Sequence, residues 1–219
     1  GEDFGVENAR LAVGGQVVDL WGPHGHHREV YLPMYGPGQA DNAVAALTAV
    51  EAFLDGPLGD DVVAEGLGGI ALPGRMEVLA RHPLVVADGA HNKDAARHLA
   101  LTIPEAFTSS RLILVLGVLA PHDPTEIIDE LSALSPEVVI TCTAPSGRAV
   151  PAEILAAVGA DRGLEVEAVP EAIDAVTRAV GLAGEDGLVL VAGTFYIVSP
   201  ARRAVSALGS QGGREEEEF

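Results

Sequence analysis

Lysine is nearly missing from this sequence: its 219 residues contain one, Lys93, beside twelve arginines. A Walker-type phosphate loop requires the pattern GxxxxGK[ST], so none exists here and any nucleotide contact must use other groups. Cysteine is as scarce. Cys142 stands alone, which excludes an intramolecular disulfide and gives no sign of an oxidising compartment. No apolar run approaches the roughly 20 residues that cross a bilayer, and the opening GEDFGVENAR lacks the basic-then-apolar order of a secretion signal. A cytoplasmic protein without a membrane partner is expected. Net positive charge is absent too, with a formal charge of -19 and a pI near 4.5. Nucleic-acid affinity depends on clustered cations, so neither nucleic acid nor an anionic membrane is an expected partner.

What is present suits one large domain or two small ones. Residues Asn8 to Met34 read as a β-meander, with ARLAV, QVVDLW and REVYLPM as short strand-like runs and Gly14-Gly15 as a two-residue hairpin turn. The loop GPHGHH carries His24, His26 and His27. No carboxylate or cysteine accompanies them at a zinc spacing, and a solvated hairpin loop is the simpler reading. From Gly36, GPGQADN supplies loop and cap residues, with Asp41 or Asn42 in the first turn of an alanine-rich helix, AVAALTAVEAFL. Val44, Leu47, Val50 or Glu51, and Leu54 keep a helical spacing, and so little charge surrounds them that packing on several sides is predicted. DVVAEGLGGI reads as a second, short helix. ALPGRME has the composition of a linker, which places a domain boundary near Leu72 to Arg75.

Beyond it, strand-like and helix-like segments alternate with short connections, the pattern of a doubly wound α/β domain of about 140 residues with helices on both faces of a mostly parallel sheet. The strands are MEVLAR, LVVAD, RLILVLGVL, EVVITCT, LEVEAV and GLVLVAG. The helices are DAARHLALTI, PTEIIDELSAL, PAEILAAVGADR and PEAIDAVTRAVGLA, three of them with proline at or near the first turn. Only His82-Pro83 separates MEVLAR from LVVAD, so these two pair as an edge hairpin. The tail QGGREEEEF has no periodicity and is expected to be disordered.

Within this domain LVVADGAHN draws the chemistry. Asp88 should sit at the carboxyl end of a buried strand, where α/β sheets bind ligands. An aspartate there can accept from two neighbouring ribose hydroxyls, while amides opening the next helix offer donors to an anion. A helix N-cap region without a ligand uses the same residues. His91 and Asn92 lie in the same turn. Arg75, in the linker, can donate two parallel hydrogen bonds to a phosphate, or instead form an ion pair with Glu77 or Glu51. Asn42 can pair with an adenine edge or cap its helix. His122, Asp123 and Arg148 follow later strands and share the ligand-side edge. Thr194 sits at a strand end with no adjacent base, and no nucleophile-base set can be assembled. No catalytic and no metal-ligating residue is therefore assigned.

Taken together, GPGQADNAVAALTAVEAFL, PGRMEVL, LVVADGAHNKDAARHLA, LVLGVLAPHDP, APSGRAV and GLVLVAGTFYIV resemble, in order and spacing, the folylpolyglutamate synthase and dihydrofolate synthase family of the Mur ligase superfamily. PGRME followed by DGAHN carries the specificity. The resemblance runs from about Asp3 to Arg203 and matches only the second half of a family member. It implies that residues 1–72 are the end of the central ATPase domain, a β-meander plus helix remnant. It makes 73–208 the carboxyl-terminal Rossmann-like domain and leaves 209–219 as an acidic tail. The family uses ATP and Mg2+ to convert a dihydropteroate or folate carboxylate into an acyl phosphate, which the amino group of L-glutamate attacks. Carried over by motif, Asn42 contacts adenine, Arg75 reaches the nucleotide phosphates across the interdomain cleft, Asp88 holds the ribose, and His91 lies near the nucleotide.

The sequence departs from the family pattern at three places. Gly38-Gln39 replaces the family's His-Gln, Lys93 replaces the proline commonly following DGAHN, and PHDP replaces an Asp-Lys-Asp turn. The family's phosphate loop and modified magnesium-site lysine belong to the half not matched, where most magnesium ligands are expected. The chain alone is thus expected not to catalyse ligation, and the full-length protein to be a monomer. A non-catalytic nucleotide-binding or interaction module, or another Mur-type amino-acid ligase, are the competing readings.

Overall fold

The computed structural model describes residues 3–215, with side chains described through residue 209. The chain divides into two compact units, Gly1–Pro73 and Gly74–Phe219.

In the first unit β1 (Gly5–Ala12), β2 (Gly15–Gly22) and β3 (Gly25–Leu32) form an antiparallel sheet in the order β1-β2-β3. The meander is present, but its turns are shifted. Gly15 is drawn into the ladder opposite Ala12, so the first loop is Val13-Gly14 rather than Gly14-Gly15, and Val13 is exposed at its tip. At the second hairpin Gly22 faces Gly25, which leaves only Pro23 and His24 in the loop. His26 and His27 therefore belong to β3, not to a solvated loop. Alternation along the strand turns them to opposite faces: His26 is exposed, whereas His27 is buried.

Helix α1 (Pro37–Leu54) and helix α2 (Asp60–Gly68) pack on this sheet. Val18, Leu20, Val30 and Leu32 join Val44, Leu47, Val63 and Leu67 in one core. Pro37 stands in the first turn of α1, where a fixed φ and a missing amide suit it. The helix consequently starts earlier than its sequence suggests, and Asp41 and Asn42 fall in its second turn rather than its first. Nor is α1 enclosed on several sides. Ala43, Val44, Leu47 and Glu51 are buried, while Val50, Phe53 and Leu54 are exposed. The polar member of the ambiguous pair Val50/Glu51 is the buried one. Its burial is compensated locally: Glu51 Oε1 accepts the Leu58 amide at 3.0 Å and lies 3.5 Å from His27 Nε2. His27 Nδ1 is 2.7 Å from Asp60 Oδ1.

The second unit holds a six-stranded sheet, built from β4 (Glu77–Arg81), β5 (Leu84–Ala87), β6 (Leu112–Leu116), β7 (Val138–Thr143), β8 (Val166–Glu171) and β9 (Leu188–Ala192). The order is β4-β5-β9-β6-β7-β8, and all pairs are parallel except β4 with β5. The antiparallel edge hairpin turns at His82-Pro83, as its short link predicts. β6 (LILVL) and β9 (LVLVA) are buried at every residue, as expected of central strands covered on both faces. Pro170 lies in β8, an edge strand, where a missing amide is tolerated.

The helices are α3 (Lys93–Ala106), α4 (Pro124–Ser132), α5 (Ala152–Ala160), α6 (Ala172–Ala183) and α7 (Val198–Glu215). Val85, Ile113, Val115, Ile140, Val189 and Val191 meet α6 and α7 in one core. Thr141, pointing the other way from Ile140, donates to the Ala152 carbonyl of α5 at 2.8 Å, so α5 lies on the opposite face. α7 was not expected from the sequence. It covers the start of the stretch read as an unstructured tail, and residues 216–219 of that tail lie outside the described residues. Because β9 inserts last between β5 and β6, the strand order reverses there, and the loops after β5, β6 and β9 emerge side by side. Such a switch point at the carboxyl edge is where ligands bind to open α/β sheets.

Candidate functional site

The turn preceding β4 and the loop following β5 are tied together at this edge. Asp88 directly follows β5 and is 8% exposed. Its Oδ2 accepts the Met76 amide at 2.9 Å and its Oδ1 the Ala90 amide at 2.7 Å. Burial pushes the carboxyl above its ordinary pKa, while the two amides, then Arg75 and His91, pull it back down. Gly89 donates its amide to the Gly74 carbonyl at 2.7 Å. The turn carrying Arg75 is thus flanked by Gly74 at φ 71° and Met76 at φ 45°, both left-handed. Glycine adopts that region freely, whereas for Met76 it is unfavourable and has to be held by its surroundings.

The expected alternative for Arg75, an ion pair with Glu77, is not formed. Glu77 Oε1 and Oε2 accept from Arg202 Nε and Nη2 at 2.9 and 2.6 Å, and Oε2 also takes the Gly74 amide at 2.7 Å. Glu51, the other suggested partner, is engaged by His27 and Leu58. The Arg75 guanidinium instead lies over the Phe195 ring, 4.5 Å from its centroid. His91 Nδ1 lies 2.8 Å from the Gly89 carbonyl. A carbonyl only accepts, so Nδ1 carries the proton, and Nε2 of the neutral ring is an acceptor. The His91 and His122 rings meet edge to face at 5.0 Å, which joins the loops after β5 and β6.

The structure therefore brings Arg75, Asp88 and His91 together in the second unit. Asn42 belongs to the first unit, where it is exposed on α1 with Nδ2 3.5 Å from Gln39 Oε1. Asn92 is the N-cap of α3, accepting the Ala95 amide at 2.9 Å. Asp123 has the corresponding job in α4, through the Thr125 amide. Arg148 is exposed, and its carbonyl accepts the Ala120 amide at 2.8 Å. Thr194 caps the 3-10 turn Phe195–Ile197. Among the described residues, no three or more His, Cys, Asp or Glu side chains are grouped to hold a metal ion, and no helix is long and apolar enough to cross a membrane. Sequence reasoning missed Phe195, which follows the strand-end Thr194 with no polar group to mark it, and Arg202, which is 125 residues from Glu77.

Chemically, the cluster offers a guanidinium held away from nearby carboxylates, an imidazole of defined tautomer and a carboxylate whose oxygens can each accept a second hydrogen bond. Fold and cluster are those of an α/β domain with a candidate ligand site at the carboxyl edge of a mostly parallel sheet. Residues 74–195 match the Mur ligase, glutamate ligase domain, and the chain belongs to the Mur ligase family. It is 38% identical over 193 residues to the dihydrofolate synthase/folylpolyglutamate synthase of Mycobacterium tuberculosis, a match over 84% of this chain and 39% of that protein. A probable bifunctional folylpolyglutamate synthase/dihydropteroate synthase of Halobacterium salinarum is 40% identical over 174 residues, 78% of this chain and 20% of that one. The solved Mycobacterium tuberculosis folylpolyglutamate synthase complexed with ADP and AMPPCP superposes with a TM-score of 0.87 at 33% identity, covering 93% of this chain and 48% of that chain. The chain thus spans less than half the length of these relatives. The resemblance read from PGRME and DGAHN is the one these comparisons find.

Proposed function

We propose that this chain is the nucleotide-holding portion of an ATP-dependent folate-glutamate ligase that joins L-glutamate to a dihydropteroate or folate carboxylate through an acyl phosphate. Arg75 donates to the nucleotide phosphates, Asp88 accepts from the ribose hydroxyls, His91 stands beside the nucleotide, and Asn42 contacts the adenine. The observation that carries this reading is the Asp88 clasp. One carboxylate fixes the turn that presents Arg75 and the loop that presents His91, with acceptor capacity remaining on both oxygens. A solved relative holds ADP and AMPPCP, the class of ligand these groups suit.

ATP with Mg2+ supplies the phosphoryl group that activates the carboxylate. The residues of this chain bind and orient: a guanidinium neutralises phosphate charge, and a fixed carboxylate sets the position of the sugar. Residues for the phosphate loop and for most of the magnesium shell are assigned to a partner half of the ligase, because the sequence has one lysine and no GxxxxGK[ST] pattern. The reading includes a monomeric, cytoplasmic enzyme.

The test is reconstitution. The 219-residue chain alone should show no ATP-dependent ligation. Joined to an upstream half carrying a phosphate loop, it should form γ-glutamyl amides from glutamate and dihydropteroate or folate, and Arg75→Ala should weaken ADP binding. Product with UDP-sugar substrates only would move the activity to another Mur-type ligase. Failure of every acceptor, with ADP binding retained, would leave a nucleotide-binding module.

A further inference from the structure

Phe195 follows Thr194 in the 3-10 turn after β9, and its ring lies directly on the backbone of the two site loops. A Cβ built on Gly89 would lie 2.4 Å from ring carbons, and one built on Gly74 3.1 Å from them. Only glycine backbone admits the ring so closely, and these two glycines are hydrogen-bonded to each other. Phe195 nevertheless remains 40% exposed. The Arg75 guanidinium lies over the ring at 4.5 Å, and the His91 ring is 6.3 Å away, tilted by 49°.

We infer that Phe195 is a positioning residue for Arg75, holding its guanidinium by a cation–π contact at the site edge so that its N–H donors face an incoming oxyanion. Two features support this. The competing carboxylate, Glu77, already accepts three hydrogen bonds, two from Arg202 and one from the Gly74 amide, and pairs with that arginine rather than with Arg75. A guanidinium over a ring face keeps its in-plane donors for other acceptors, whereas a bidentate ion pair would use them. The ring also restricts a long side chain before ligand arrives, which lowers the ordering cost of binding.

The inference rests on the reading of Arg75 as a phosphate contact, and the experiment separates the two. Arginine side-chain NMR spectra are recorded on the 219-residue chain as wild type, Phe195→Leu, Phe195→Met and Phe195→Tyr, and each is titrated with ADP and with adenosine. In the wild type and Phe195→Tyr, the Arg75 side-chain protons should be shifted upfield by the ring. That shift should vanish in Phe195→Leu and Phe195→Met. ADP affinity should fall about threefold or more in the two aliphatic variants and recover in Phe195→Tyr, with adenosine affinity unchanged throughout. Arg75 resonances identical in all four proteins would overturn the positioning role, as would equal losses for ADP and adenosine. If Arg75→Ala leaves ADP affinity unchanged while the wild type shows the ring shift, the phosphate reading fails and the ring contact stands.

Discussion

Asp88 accepts the backbone amide of Met76 at 2.9 Å, across twelve residues of chain. The bond fastens a left-handed non-glycine residue into the turn that carries Arg75, so the carboxylate that the ligand reading assigns to ribose is also part of the fold. Asp88→Ala strands the Met76 and Ala90 amides at a buried position, and each loss is worth about 1–3 kcal/mol. Urea unfolding should therefore show a deficit of about 2–6 kcal/mol. Asp88→Asn retains one carbonyl acceptor and should lose less. Burial raises the Asp88 carboxyl above its unfolded value, so its contribution to stability is fully present below the unfolded pKa and is lost as pH rises through the folded pKa. The deficit of Asp88→Asn should accordingly be largest in acid and shrink toward neutrality. A deficit that grows with pH would contradict the dominance of burial.

Glu77 behaves in the opposite sense. The Arg202 hydrogen bonds hold its carboxyl below the usual range, against the effect of burial and with help from the Gly74 amide and the Arg202 charge. A depressed folded pKa gives stability that is present above the unfolded value, about 4.3, and is lost as pH falls through the folded one. Glu77→Gln should lower the melting temperature at pH 7, by an amount matching about 0.5–1 kcal/mol for a partly exposed pair. Thermal melts repeated toward pH 3 should bring the two proteins together. Parallel melting curves over the whole range would show that Glu77 contributes through packing alone.

The difference between these carboxylates also marks how far the sequence could be read. Asp88 was legible as a strand-end residue because the apolar run Leu84–Ala87 and the Asp-Gly that follows are local signals, and the helix N-cap region after it was equally local. The apolar runs of β6 and β9 marked strands in the same way, though not their central place in the sheet. Glu77 was misassigned because its partner, Arg202, lies on α7, and α7 itself went unseen in a segment rich in alanine, serine and glycine. A one-residue error at the first hairpin and an over-long second loop hid the orientation of His27, since strand faces alternate residue by residue. Phe195 carried no local sign of its role, which depends on two glycines in other loops.

His27 and Glu51 give the first unit its own test. Glu51 is buried with its Oε1 shared by the Leu58 amide and His27 Nε2, and His27 reaches Asp60 through its other nitrogen. Glu51→Ala leaves a part-buried amide and a buried imidazole nitrogen without their acceptor and should destabilise this unit by about 2–4 kcal/mol. Asp60→Asn, on an exposed carboxylate, should change stability by less than about 1 kcal/mol. Hydrogen exchange resolved by residue should locate the Glu51→Ala loss in β3, α1 and α2. Exchange unchanged there would remove the cluster from the stabilising interactions of the sheet-helix interface.

Gly89 leaves no room for a side chain beneath the Phe195 ring. An added methyl would stand 2.4 Å from the Phe195 ring, so Gly89→Ala must displace the ring, the loop, or both. Overpacking of this kind typically loses about 1–3 kcal/mol. If the clash is with the ring alone, shortening it should relieve most of the loss, and Gly89→Ala combined with Phe195→Ala should be less destabilised than the sum of the single variants. A double-mutant cycle from urea unfolding measures that difference, and a coupling of about 1 kcal/mol or more is expected for residues in direct contact. Additive losses would instead place the strain in the Gly89–Gly74 backbone hydrogen bond. The ring would then be a bystander to the loop geometry, and Arg75 would take its position from the Gly74–Met76 turn, which Glu77 and Asp88 hold through the Gly74 and Met76 amides.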